Sequence, residues 1–160
     1  MKKKISFDYD NETGLTIATL KTKKGTFFGT SNKHPDDDLA PSYSVGLNLA
    51  EARANISLIN KQIAEKRIET KTLERLLHSM PQDIKGRNYV INLLNAIHRE
   101  IYHLKEQKEE WQNLIFNTIE ARKIYIKSRK TNKKEREASL KKLGDAIGAL
   151  GKFNNQDKNN

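Results

Sequence analysis

The chain has 160 residues, with 30 Lys plus Arg against 20 Asp plus Glu, a formal net charge of +10 and no cysteine. Disulfides, thiolate nucleophiles and thiolate metal sites are excluded, and the length suits one domain or a small domain with a long appendage. No apolar run approaches the roughly 18 residues that a bilayer span needs, and the basic start Met1-Lys2-Lys3-Lys4 leads into an alternating segment instead of a signal-peptide core, so a soluble cytoplasmic protein is expected.

Residues 4–32 read as strands. Ile5, Phe7 and Tyr9 share a face at period two, and Asn11-Glu12-Thr13-Gly14 supplies turn chemistry. Leu15 to Leu20 is a second strand rich in β-branched residues, Lys24-Gly25 a tight turn, and Thr26 to Thr30 a third strand. The simplest topology is a three-stranded antiparallel meander, which must bury one face against a helix. Residues 33–44 hold two prolines and read as a connector. A helix follows, starting between 44 and 48 on a serine cap or an Asn48/Glu51 capping box.

The pattern then changes period. Leu49, Ala52, Ile56, Ile59, Ile63, Lys66, Thr70, Leu73, Leu77 and Met80 alternate in steps of three and four, an a/d stripe with polar breaks at Lys66 and Thr70. Met80-Pro81-Gln82-Asp83 ends that helix and places Pro81 in the first turn of the next. The stripe resumes with Val90, Leu94, Ile97, Ile101, Leu104, Lys108, Trp111, Ile115, Thr118, Arg122 and Tyr125. A short connection makes the two helices antiparallel neighbours, with Lys66 and Lys108 snorkelling out along the seam. Residues 128–134 are polar and read as a break or a frayed helix. A short amphipathic helix with Leu140, Leu143, Ile147 and Leu150 follows, and residues 154–160 have nothing to bury and read as a disordered tail.

The fold class expected is α+β, mainly α. A small three-stranded antiparallel sheet joins a long antiparallel helical hairpin with coiled-coil packing and a short basic C-terminal helix. The divisions fall at 1–44, 45–127, 128–153 and 154–160. The outer faces of two long helices are left uncovered, so a homo-oligomer is expected, with the polar breaks setting its register.

The charge is uneven. Arg122, Lys123, Lys127, Arg129, Lys130, Lys133, Lys134, Arg136, Lys141 and Lys142 face only Glu135 and Glu137, so residues 122–142 carry 10 − 2 = +8. Such density is the footprint expected of phosphate contacts, which makes nucleic acid the leading partner. An acidic host protein and a plain solvated helix face are the alternatives. Membrane binding is disfavoured, because no bulky apolar face opposes the charge. Phe7, Tyr9, Phe27 and Phe28 could stack bases from the sheet, although at least half of them are expected in its core.

Other chemistry is sparse. His34, Asp36, Asp37 and Asp38 form one compact polar loop. Their ligands are contiguous and lack a sharp-turn glycine, so a protein-docking loop is the better functional reading and no metal is assigned. His98 and His103 are five apart and do not form an i, i+4 metal pair. Trp111 falls on the stripe and reads as core. No catalytic residues and no cofactor are assigned, and the chain reads as a non-enzyme.

The run Gly25-Thr-Phe-Phe-Gly-Thr-Ser-Asn-Lys-His-Pro-Asp-Asp-Asp38, followed by Ser44-Val-Gly-Leu-Asn-Leu-Ala-Glu-Ala-Arg-Ala54, resembles a pattern in small proteins of phages and prophages of Gram-positive bacteria. The resemblance covers roughly residues 5–60. It implies a phage setting in a host cytoplasm and a β-meander followed by a helix, and supplies no activity or site residues. Two functions stay open on this reading: a phage accessory protein that binds nucleic acid, or an inhibitor that docks on a host or defence-system protein through the hairpin.

Overall fold

Period-two alternation puts Ile5, Phe7 and Tyr9 on one side of the chain, and the structure, a computed structural model, folds them into the first strand of a sheet. It describes residues 3–33, 43–82 and 86–156. The sheet has β1 (Lys4–Tyr9), β2 (Thr16–Thr22) and β3 (Gly25–Ser31), antiparallel and in sequence order. The meander expected from the strand pattern is thus present. The first loop closes on Asp10, whose carboxylate accepts from the Glu12 amide at 2.9 Å and the Thr13 hydroxyl at 2.6 Å. Those hydrogen bonds hold Asp10 below the usual carboxylate range. Gly14 completes the turn at φ 69°, a left-handed conformation that glycine adopts without steric penalty. In the second turn Thr22 pairs with Gly25, so Lys23 and Lys24 are the loop residues and Gly25 opens β3.

Register sorts the side chains into two faces. Three cross-strand rows point inward: Ile5–Leu20–Phe27, Phe7–Ala18–Gly29 and Tyr9–Thr16–Ser31. Ala18, Leu20 and Phe27 are buried there against Ala50 and Ala54, with Ile5, Phe7 and Leu58 packed around them. The middle row ends in glycine because the helix backbone lies directly upon it. A Cβ on Gly29 would stand 2.0 Å from the Ala50 carbonyl oxygen and 2.3 Å from the Ala54 nitrogen.

That helix, α1 (Tyr43–Ser79), begins one residue before the expected window. Its heptad stripe is buried or half-buried at every position from Leu49 to Met80. Ala50 and Ala54 lie on nearly the opposite side of the helix at 3.6 residues per turn. The first half of α1 therefore has two faces removed from solvent, one of them against the sheet. Asn55 is buried beside them with its amide satisfied, its oxygen accepting from Lys3 Nζ and its nitrogen donating to the Glu51 carbonyl at 3.0 Å.

The partner is α2 (Gly86–Gln156). The connection is held by Arg87, whose guanidinium donates to the Leu77 carbonyl at 2.9 Å and the Met80 carbonyl at 3.0 Å. Pro81 lies in this connection and does not open α2, since a proline lacks the amide that would carry α1 further. Val90, Leu94 and Ile97 are buried opposite the far half of α1, where Thr70 is buried too. The stripe stays half-buried through Ile101, Leu104, Lys108, Trp111, Ile115, Thr118 and Arg122.

Two expectations for the C-terminal part are corrected. No break occurs at 128–134, and the basic segment is no separate short helix: α2 runs on to Gln156. The expected break rested on polarity, yet this stretch contains neither Gly nor Pro, and Lys, Arg and Glu are good helix formers. Ser128, Thr131 and Ser139 are accommodated by turning their hydroxyls onto carbonyls three or four residues back, at 2.7, 3.1 and 2.8 Å. Residues 154–156, expected in a disordered tail, belong to the same helix, and 157–160 lie outside the described residues. The chain divides into two compact units, the first holding the sheet, α1 and α2 as far as Ile119, the second holding α2 from Glu120.

Lys66 shows how the hairpin handles a polar break. Its ammonium reaches Glu100 on α2 at 2.8 Å and Glu69 on its own helix at 3.1 Å. The hydrogen bonds from Glu100 and then Glu69 raise it above the usual 10.5 of lysine. A group whose pKa is raised by folding contributes stability that is complete below the unfolded value and is lost as pH rises through the folded one. Wild type and Lys66→Met should therefore differ by a constant amount, at most about 1 kcal/mol for so exposed a pair, from neutral pH to about pH 10. The difference should shrink once the pH passes 10.5 and rises towards the folded value. Urea midpoints at the two extremes check this, and a difference that grows with pH contradicts it.

Candidate nucleic-acid interface

The ten cations of residues 122–142 all lie on one helix, α2, in the second unit. At about 100° per residue, Arg122, Arg129, Lys133 and Arg136 fall on one strip. Lys123, Lys127, Lys130, Lys134 and Lys141 fall on the adjoining strip, and Lys142 lies beyond both. Ala121, Ser128, Asn132 and Ser139 occupy the opposite side together with Glu135, so nine of the ten cations share a broad band over about half of the helix circumference.

Burial divides that band. Arg122 is half-buried and the other nine cations are exposed. Ile126 lies between the two strips and is buried at 6% exposure, whereas Tyr125, which the heptad count placed on the stripe, is 46% exposed. The stripe steps by four from Arg122 to Ile126, a choice that spacing in threes and fours leaves open. The freely presented part of the band accordingly begins at Lys127.

Local pairing takes up part of this charge. Lys123 meets Glu120 at 2.7 Å, and Lys133 meets Glu137 at 3.8 Å. Both are exposed pairs of small energetic weight. Arg122 and Arg129 lie against the Tyr125 ring, 5.4 and 5.9 Å from its centroid. This cation–π arrangement holds two guanidiniums one helical turn either side of one ring. It also occupies Tyr125, so the ring acts as a support for the arginines, and base stacking on it would have to displace them.

The remaining sequence candidates behave differently. His34, Asp36, Asp37 and Asp38 lie outside the described residues. His98 and His103 are exposed, with His103 Nδ1 3.1 Å from Glu106, and Trp111 is half-buried on the seam. Among the described residues no three His, Asp or Glu side chains are grouped to hold a metal ion, and no helix is long and apolar enough to cross a membrane.

Compared with known proteins, the chain matches no family model, no curated protein and no solved structure.

Proposed function

We propose that this chain is a non-catalytic accessory protein that binds nucleic acid through α2 residues 122–142, in the phage setting implied by the resemblance of residues 25–54. The observation that supports it is the band of ten cations, nine of them exposed, that gives residues 122–142 a charge of +8 on an uninterrupted helix. A helix presents such cations at fixed spacing, so phosphate contacts form without first ordering the chain. No recognition motif accompanies the band, and its binding is of the backbone-directed kind, insensitive to sequence.

The test is fluorescence anisotropy of generic duplex DNA and RNA with the full chain, titrated from about 50 to 200 mM salt. The logarithm of the association constant should fall with the logarithm of salt by roughly 0.9 per phosphate neutralised. With the exposed cations sharing one band, a slope of about −4 to −8 is expected. Absence of binding at the lowest salt overturns the reading. It would turn the search to an acidic host or defence-system protein docking on the hairpin, where Tyr89, Tyr102 and Phe116 are 71%, 61% and 63% exposed.

A further inference from the structure

The two adjacent phenylalanines of β3 part company in the sheet. Phe27 is buried in the inner row with Leu20, and Phe28 points to the opposite face and is 60% exposed. Within the first unit, no described element other than the strands covers that outer face. It is made of three rows: Lys4–Lys21–Thr26, Ser6–Thr19–Phe28 and Asp8–Ile17–Thr30. Phe28 thus stands in the middle row, beside the row that carries two lysines. Diagonal neighbours on a sheet lie about 7–8 Å apart, within reach of long side chains, so the Lys21 ammonium can extend alongside the Phe28 ring.

Antiparallel pairing concentrates charge at one end of this face. The start of β1, the end of β2 and the turn into β3 meet there, bringing Lys3, Lys4, Lys21, Lys23 and Lys24 together. Two of the five are committed elsewhere: Lys3 to Asn55, and Lys24 to Glu65 at 2.7 Å. Lys4, Lys21 and Lys23 remain exposed, and Asp8, at the far end of the face, is the one acidic residue among the three rows. An exposed aromatic ring flanked by cations on an open sheet fits a chain of stacked bases joined by phosphates. A duplex hides its base faces and offers that ring nothing.

We propose that the outer face of the β-sheet is a single-stranded nucleic-acid platform, with Phe28 stacking one base and Lys21 and Lys4 contacting the adjoining phosphates. The platform is built of other residues than the basic band of α2 and carries its own charge, so either can fail without the other.

The experiment compares oligo(dT) with duplex DNA, using the full chain at about 50 mM salt. Phe28→Ala should weaken oligo(dT) binding about 5- to 150-fold, the range reported for removal of one stacking partner. It should leave duplex affinity and the thermal midpoint unchanged, because Phe28 packs on no core residue. Phe28→Trp should restore oligo(dT) binding. Lys21→Glu should weaken it and flatten its salt dependence. In heteronuclear NMR spectra, oligo(dT) should shift the amides of Thr19, Lys21, Thr26 and Phe28. Unchanged oligo(dT) affinity in Phe28→Ala overturns the platform, as does failure of wild type to bind oligo(dT). If charge reversal on α2 alone abolishes oligo(dT) binding while Phe28→Ala does not alter it, the platform falls and the α2 reading stands.

Discussion

Gly29→Ala should destabilise the protein by about 3 kcal/mol, the upper end of the cost of overpacking, and Gly29→Val by more. The added Cβ would lie 2.0 Å from the Ala50 oxygen, 2.3 Å from the Ala54 nitrogen and 2.9 Å from the Arg53 carbonyl carbon. All three are backbone atoms of α1, so no side chain can rotate away. Either β3 bends outward or α1 lifts from the sheet. Lifting would open the contacts among Ala18, Leu20, Phe27, Ala50 and Ala54, which are the core cluster of the sheet. A small domain has roughly 5–15 kcal/mol of stability in total, so the valine variant should lose much of its cooperative transition. Urea unfolding followed by circular dichroism measures the effect. Thr26→Ala, on the exposed outer face of the same strand, should change stability by less than about 0.5 kcal/mol. Wild-type stability in Gly29→Ala would contradict the close approach of helix and sheet.

Reversing Lys130, Lys133, Lys134 and Arg136 to Glu should lower duplex affinity by about three orders of magnitude at 0.1 M salt. Each reversal removes two charges, so residues 122–142 pass from +8 to 8 − 8 = 0. These four lie in the part of the band beyond Ile126, where every cation is exposed. Losing four phosphate contacts should make the salt slope shallower by about 3.6, at roughly 0.9 per contact. The set with Gln at the same four positions separates lost attraction from new repulsion. It should show the same change of slope with a smaller loss of affinity. Helix content should be preserved in both sets, because Glu and Gln sustain a helix about as well as Lys and Arg. Full affinity in the Glu set would remove α2 as the binding surface.

Several of these features were legible in residue spacing alone. A two-residue period with turn chemistry at Asn11–Gly14 is enough to specify β1 and β2, since a half-buried strand has few other ways to hide Ile5 and Phe7. The stripes of α1 and α2 were equally readable. Steps of three and four sustained over many turns define one face of a helix, and the polar breaks at Lys66 and Thr70 did not disturb it. The electrostatic band could be located by counting, because ten cations within 21 residues need no structure to be adjacent.

Other features depend on which surfaces meet. Polarity at 128–134 looked like a break, yet helix continuation is decided by backbone propensity and by hydroxyls that find local carbonyls. Tyr125 and Ile126 are both compatible with the stripe, and burial selected the isoleucine, which has no polar atom to desolvate. The second covered face of α1 left only a faint signal, two alanines four apart and a glycine in β3. Small residues become an interface when a neighbouring backbone approaches them, and nothing local announces that approach. The separation of Phe27 from Phe28 was likewise a matter of register. Alternation guarantees that adjacent residues part, and the side on which α1 packs determines which of the two is buried. The sequence by itself determined the strands, the helical faces and the place of the charge. The tertiary structure decided which face of the sheet is covered, where the cation band becomes exposed and which aromatic is left in solvent, because burial is a property of pairs of surfaces and sequence periodicity describes one surface at a time.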